Sequence, residues 1–433
     1  MKYASTRGGQ EATLEEALLA GIAADGGLFV PVALPSFSPA DFAGDRTLTA
    51  VARRLLAPFF AGSGLAGSLD DIVRETFTFP IPLRDVPGQP GLRLLELFHG
   101  PTAAFKDVGA GFLTACISRL AAGAEQPLTI LVATSGDTGG AVAAAFDGRA
   151  EARVVVLFPE GRVSRRQAHQ LCCWGDNVLS LAVQGNFDDC QRLVKLAMGD
   201  RRIAGRWRLS SANSINIGRL LPQCTYYAHA CLTRFRATGE KSSFVIPTGN
   251  LGNALACMLV RAMGLPVRNI VLATNANRAI PDWLESGEWR PAPGIPTLAT
   301  AMDVGDPSNM ERLRRIFGGR AAPDLGACAA TDEDIRTVIR DTWREYGIAV
   351  CPHTATAVHA WRRLPAQERA DSEWILAATA HPAKFEDVVE PLIGEEVPLP
   401  AALARVLSRP TRSVRVPPEL NAVAAALAQA FAP

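Results

Sequence analysis

Lys106 stands in the stretch ELFHGPTAAFKDVGAG, residues 96–111, among small and aromatic residues, with Asp107 as its one charged neighbour. A lysine on a solvated face usually sits among other charges. Phe105, Val108, Phe112, Cys116, Ile117 and Leu120 keep helical spacing and Thr102 suits an N-cap, so Lys106 is expected in the first turn of a helix. Unpaired N–H groups at that end disfavour a cation, and burial lowers an amine further from its usual pKa of about 10.4. The neutral amine is the form that condenses with an aldehyde. The same residues also fit a lysine that snorkels from a helix start.

Four further stretches carry polar groups where ligands could bind. PTGNLGN, residues 247–253, sets two glycines between an apolar strand and a helix, so backbone N–H groups can converge on an anion; a tight turn would read alike. It lacks the GK[ST] ending of a nucleotide-binding loop and suits a single phosphate. ATSGDTGG, residues 133–140, brings Thr134, Ser135 and Thr138 to a helix start, where hydroxyls bind anion oxygens or cap the helix. Glu160 lies where a ribose-binding acid could sit, but TSGDTGG is not GxGxxG, which argues against a nicotinamide cofactor. SSANSINIGRL, residues 210–220, gathers Ser214 and Asn216 before Arg219, an anion-binding composition that a surface loop would share. In ATAHPAKFEDVV, from Ala378, Thr379 closes an apolar strand with a neutral hydroxyl.

The elements that must position these loops are legible as a rhythm. LTILVA, RVVVLF, NVLSLAV, SFVI, NIVLA and WILAA read as buried strands, most of them followed by a small polar loop and a helical pattern. Repeated units of this kind predict an α/β fold with mostly parallel sheet and helices on both faces, ligands collecting at the carboxyl ends of strands. Residues 1–90 read as a mainly helical unit, through TLEEALLAGIA and LTAVARRLLAPFF, and the tail 396–433 as helical, ending in ELNAVAAALAQAF.

Composition bounds the partners. The chain has 433 residues, 48% hydrophobic and 20% charged, and a formal net charge of +1, so no global field recruits nucleic acid or an anionic membrane. No run approaches a membrane span, and glutamates interrupt the opening stretch. Nine scattered cysteines without CxxC signal neither a disulfide framework nor a zinc site; Cys172 and Cys173 are expected as reduced thiols. The six histidines show no HExxH, and no catalytic metal is expected. These features point to a cytoplasmic protein.

HGPTAAFKD, ATSGDTGG, NFDDCQ, SANSINIGR, PTGNLGN, ATNAN, AMDVGDPSN and ATAHPAKF together resemble, in order, the motifs of the threonine synthase family, pyridoxal-phosphate enzymes of fold type II. The resemblance runs from about residue 3 to 400. It implies two open, twisted, mostly parallel sheets flanked by helices, plus the helical N-terminal unit. The larger, cofactor-binding unit would take residues 91–126 and 241–395, the smaller 127–240.

By the same resemblance Lys106 would hold pyridoxal phosphate through an imine and serve as the catalytic base. Thr248, Gly249, Asn250, Leu251, Gly252 and Asn253 would cradle its phosphate, Thr379 would face the ring nitrogen, and Asp137 would lie near the ring oxygen. The implied substrate is O-phosphohomoserine, its anionic groups divided among Thr134, Ser135, Thr138, Ser214, Asn216 and Arg219. A monomer or homodimer is expected. Ala103, Val108 and Leu251 are smaller than the residues expected at those positions, so a relative that omits hydration, or adds another nucleophile, is the alternative.

Overall fold

The computed structural model describes residues 1–9, 11–318 and 325–431, so residues 319–324 of the expected larger unit and the last two of the tail lie outside the described residues. Its strands, in chain order, are β1 (Tyr3–Ser5), β2 (Glu11–Ala12), β3 (Phe29–Pro31), β4 (Leu83–Asp85), β5 (Leu92–Glu96), β6 (Leu128–Ala133) and β7 (Ala152–Pro159). They continue with β8 (Val178–Val183), β9 (Arg208–Ser211), β10 (Ser242–Pro247), β11 (Val267–Thr274), β12 (Leu325–Ala329), β13 (Glu373–Ala378) and β14 (Val414–Val416).

Two large sheets result. One has the order β12-β11-β10-β13-β5-β4 and is parallel except for β4, which pairs antiparallel with β5. The other, β14-β8-β7-β6-β9, is parallel throughout. The apolar runs form these strands because both faces are covered: β6, β8 and β10 are buried at every residue. The helix Pro352–Arg363, for example, packs on β10, β11 and β13.

The N-terminal region is mainly helical, with a small sheet beside the helices. Helices Leu14–Ala20, with a Thr13/Glu16 capping box, and Leu48–Phe60 form as the periodicity requires. Beside them β2-β1-β3 make a small antiparallel sheet, whose strands of two or three residues are too short to show a period. The C-terminal tail adds one short strand to its helices. It has helices Ala401–Leu407 and Leu420–Ala430, and between them β14 extends the five-stranded sheet beside β8.

The helix Lys106–Ala121 sits at the seam. It packs on the helices Leu14–Ala20, Leu69–Thr76, Asp137–Phe146 and Ile217–Leu220, so this helix, which follows β5 of the six-stranded sheet, joins that unit to the N-terminal region and to the helices that follow β6 and β9 of the five-stranded sheet. One apolar cluster runs through all three, including Phe59, Phe112, Val132 and Phe244. Lys106, as the helix's first residue, therefore opens where the units meet.

Candidate active site

The loops that end β5, β6, β9, β10 and β13 line one cavity of about 610 Å³. Residues 20–26 of the N-terminal region close another side through Ala20, Ile22, Ala23, Ala24 and Gly26. Of the sequence-predicted residues, Lys106, Thr134, Ser135, Asp137, Thr138, Ser214, Arg219, the six residues of 248–253 and Thr379 all line it.

Asn216 does not. Its side chain is fully buried, donating to the carbonyls of Leu18 and Ser211 at 2.9 and 3.3 Å and accepting from Gly218 N at 2.9 Å, so it caps the short helix that presents Arg219. Thr134 is also largely committed, because its hydroxyl accepts from the N–H groups of Gly136 and Gly139 at 3.0 and 2.9 Å. Capping, one of the two readings its sequence allowed, is what its side chain does.

Lys106 begins its helix, but Thr102 does not cap it; Phe105 occupies the N-cap position. Thr102 instead donates through N and Oγ1 to the Asp107 carboxylate at 2.9 and 2.5 Å. The preceding segment is fixed by the strand end beside it: Phe105 N donates to Thr379 O at 2.8 Å and His381 N to Ala103 O at 3.0 Å. This stitching places the lysine next to Thr379. The Lys106 amine opens into the cavity and so stays partly accessible, but the cavity lies deep. Burial, reinforced by Arg219 and Lys384 and opposed by Asp137, brings its pKa down to about 8.

Asp137 starts the helix Asp137–Phe146 and accepts from Gln167 Nε2 at 2.9 Å. Burial opposes its ionisation, yet Lys384, Lys106 and His353 outweigh it and hold the carboxyl well below the usual range. Lys384, missed in the sequence reading, is wholly buried and ion-paired with Asp137, its Nζ 2.7 Å from Oδ1. The signal was present: AHPAKF, like TAAFKD, isolates one lysine among small and aromatic residues. His353, also missed, lines the cavity and accepts from Ala301 N through Nε2 at 3.1 Å. Burial lowers it to about 4, helped by Lys106 and Lys384 against Asp137, so it is a neutral ring near pH 7. Nothing in an isolated HT dipeptide predicts this.

The 247–253 loop is built as an anion cradle. Leu251 has φ 61° and leads into the helix Gly252–Ala262, turning the chain so that the helix N-terminus faces the cavity. A Cβ on Gly249 would lie 2.7 Å from Met302 Cα, so only glycine lets the loop pass there. Among the described residues none accepts a hydrogen bond from the N–H groups of Gly249, Asn250 or Leu251. Thr248 Oγ1 and Asn253 Nδ2 are likewise buried without partners, while Asn253 Oδ1 is fixed by Tyr226 and Tyr227 hydroxyls at 2.6 and 2.9 Å. Buried donors left unsatisfied are costly unless a ligand takes them. Arg219 repeats the pattern, since Nη1 donates to Ala212 O at 2.6 Å but Nε is buried and unpartnered. Ala103 and Val108 are fully buried off the cavity wall, whereas Leu251 lies on it.

An aldehyde-bearing phosphate ester fits this donor set: an amine of lowered basicity, a phosphate-sized cradle and a neutral hydroxyl at Thr379. The fold and the site define a pyridoxal-phosphate-dependent enzyme, and residues 77–379 match the family model described as pyridoxal-phosphate dependent enzyme. Residues 2–77 and 354–427 match those described as threonine synthase N terminus and threonine synthase, C-terminal. The chain is 38% identical to a threonine synthase of Serratia marcescens over 94% of both chains, and 37% identical to that of Escherichia coli over 96% of both. Solved threonine synthases from Escherichia coli and, with pyridoxal phosphate bound, from Brucella melitensis superpose with a TM-score of 0.91 at 35% and 34% identity, covering 100% of each chain. The chain belongs to the threonine synthase family, and it is a pyridoxal-phosphate-dependent lyase of threonine biosynthesis.

Among the described residues no helix is long and apolar enough to cross a membrane, and no three His, Cys, Asp or Glu gather as a metal site. All nine cysteines are free thiols.

Proposed function

We propose that the chain converts O-phospho-L-homoserine and water into L-threonine and inorganic phosphate. The observation that carries this reading is one cavity lined by Lys106, by the 248–253 loop beyond β10 with its unspent anion donors, and by the guanidinium-bearing Arg219 beyond β9. The loop suits the cofactor's phosphate, and the guanidinium suits a substrate that is itself anionic.

Bound pyridoxal phosphate supplies a sink for the electrons left at the substrate's α- and β-carbons when protons leave there. The chain supplies the rest. Lys106 would hold the cofactor, and its amine would be the base at the α-carbon and the acid that returns the proton. Thr248, Asn253 and the loop N–H groups would hold the phosphate, and Thr379 would offer the ring a hydroxyl without adding charge. Arg219, with Ser135, Thr138 and Ser214, orients the substrate's anionic groups. Asn216 and Thr134 hold the loops that carry them. The N-terminal segment around Ile22 limits access of bulk water, so that water adds where the site admits it.

Incubation with O-phosphohomoserine is expected to yield phosphate and threonine in equal amounts. Phosphate with 2-oxobutanoate would instead establish elimination without hydration, and no turnover would exclude this substrate. Free thiols throughout support a cytoplasmic setting. Sedimentation would distinguish a monomer from a homodimer.

A further inference from the structure

Lys384 is a charged side chain that the reaction as described does not use, and it is among the most deeply buried in the protein, with no exposed surface. It is held with unusual care for a lysine. A single capping box fixes both members of its ion pair: Ser164 Oγ donates to Lys384 O at 2.9 Å, while Gln167 Nε2 donates to Asp137 Oδ1 at 2.9 Å. Gly136, at φ 134°, leaves room for Gln167, since a Cβ there would lie 2.7 Å from its Cδ. The 382–385 turn and the start of the helix Asp137–Phe146 are thereby locked to one another, with Lys384 Nζ 2.7 Å from Asp137.

Among the described residues Asp137 is the one carboxylate whose charge reaches both Lys384 and Lys106 at the cavity. We propose that Lys384 is a positioning residue for Lys106: by occupying the carboxylate both lysines share, it leaves the Lys106 amine without a counterion of its own, so that it gives up its proton more readily and can act as nucleophile and base. The inference deepens the proposed function and rests on Lys106 being the reacting amine.

The groups whose charge or ring acts on Lys106 are Asp137, Arg219, Lys384 and the neutral His353, each from a different element; Asp107, on its own helix, is turned to Thr102. Only Asp137 favours the ammonium, and Lys384 sits on it. Removing Lys384 deletes a nearby cation and frees the carboxylate, and both changes raise the basicity of Lys106. A merely structural ion pair would make a different demand, since replacing one with apolar groups changes stability and not a neighbour's titration.

The test uses the full-length apoprotein, so it needs neither cofactor nor turnover. Reductive methylation of Lys106 with formaldehyde and cyanoborohydride, followed by mass spectrometry from pH 6 to 10, reads the midpoint of its titration. The wild type is expected to show a midpoint near pH 8. In K384M and K384Q it should rise by at least about one unit, a tenfold or greater loss of neutral amine at pH 7, while K384R stays close to wild type. K384Q keeps a polar group beside Asp137 in case K384M does not fold. An unmoved midpoint in either folded variant overturns the proposal. Borohydride trapping of the wild-type holoenzyme tests the reading beneath it separately, because failure to modify Lys106 there would remove the reaction and leave the titration result standing.

Discussion

Gly249→Ala isolates the anion cradle from the rest of the site. The added Cβ would stand 2.7 Å from Met302 Cα and 3.2 Å from its carbonyl carbon and oxygen, all of them backbone atoms. Ordinary carbon contacts lie at roughly 3.5 Å or more, so one segment must retreat by about 0.8 Å. Met302 is poorly placed to yield, since its N donates to Ala299 O at 2.9 Å, its O accepts from Val304 N at 2.8 Å, and Ala301 N is tied to His353. The cradle moves instead. Overpacking of this kind costs about 1–3 kcal/mol, which sets the loss of apoprotein stability. Cofactor affinity should fall further, because each charge-assisted hydrogen bond forfeited is worth about 1.5–3 kcal/mol. One such loss is roughly a 10- to 150-fold weaker dissociation constant. Titration of apoprotein with pyridoxal phosphate, followed by absorbance, measures it directly. Gly111→Ala is the control: it lies within the helix Lys106–Ala121, and its Cβ would meet only Thr76 Cα at 3.9 Å. That variant should gain about 0.5–1 kcal/mol and bind the cofactor normally. A Gly249→Ala protein that binds within threefold of wild type would refute the cradle as described.

Three other outcomes follow from the same geometry. Arg219→Lys removes the planar fork and with it the buried, unpartnered Nε, so KM should rise by at least about tenfold with kcat less affected; an unchanged KM would place the substrate's anion elsewhere. Tyr226→Phe loses the hydroxyl that fixes Asn253 Oδ1 at 2.6 Å, and should cost about 1 kcal/mol in urea unfolding together with a several-fold weaker cofactor affinity. If only stability changed, Asn253 would not be holding the cofactor. His353 is held neutral down to about pH 4, against about 6.5 when unfolded, so its contribution to stability is complete above pH 6.5 and lost as pH falls toward 4. Between pH 7 and 4.5 the apoprotein should therefore lose about 2.5 kcal/mol more than His353→Asn does, and parallel curves for the two would contradict that burial.

What was legible in the sequence was local. Each buried strand announced itself as an apolar run, LTILVA most cleanly, because both faces of a parallel sheet are covered and no polar alternation is needed. The loops after the strands were legible for a related reason: hydroxyls, glycines and a lysine at apolar strand ends have no packing role to hide behind. Hence Lys106, Arg219, Thr379 and the 247–253 loop could be named in advance, while β1–β3 and β14 could not, being too short for any period to show. Asn216 was misjudged for the opposite reason, since a cap and a ligand-binding amide have the same composition and differ only in where their hydrogen bonds go. Gln167, His353 and the pairing of Lys384 with Asp137 belong to the tertiary structure. The three side chains reach Asp137 from chain positions 30 to 247 residues away, and only the packing of the 382–385 turn against the Ser164 capping box makes one carboxylate serve two lysines. The sequence by itself determined which side chains could do chemistry; the meeting of two sheets along the helix Lys106–Ala121 decided which of them share a charge, because Coulomb interaction depends on distance through space and burial, neither of which a chain position carries.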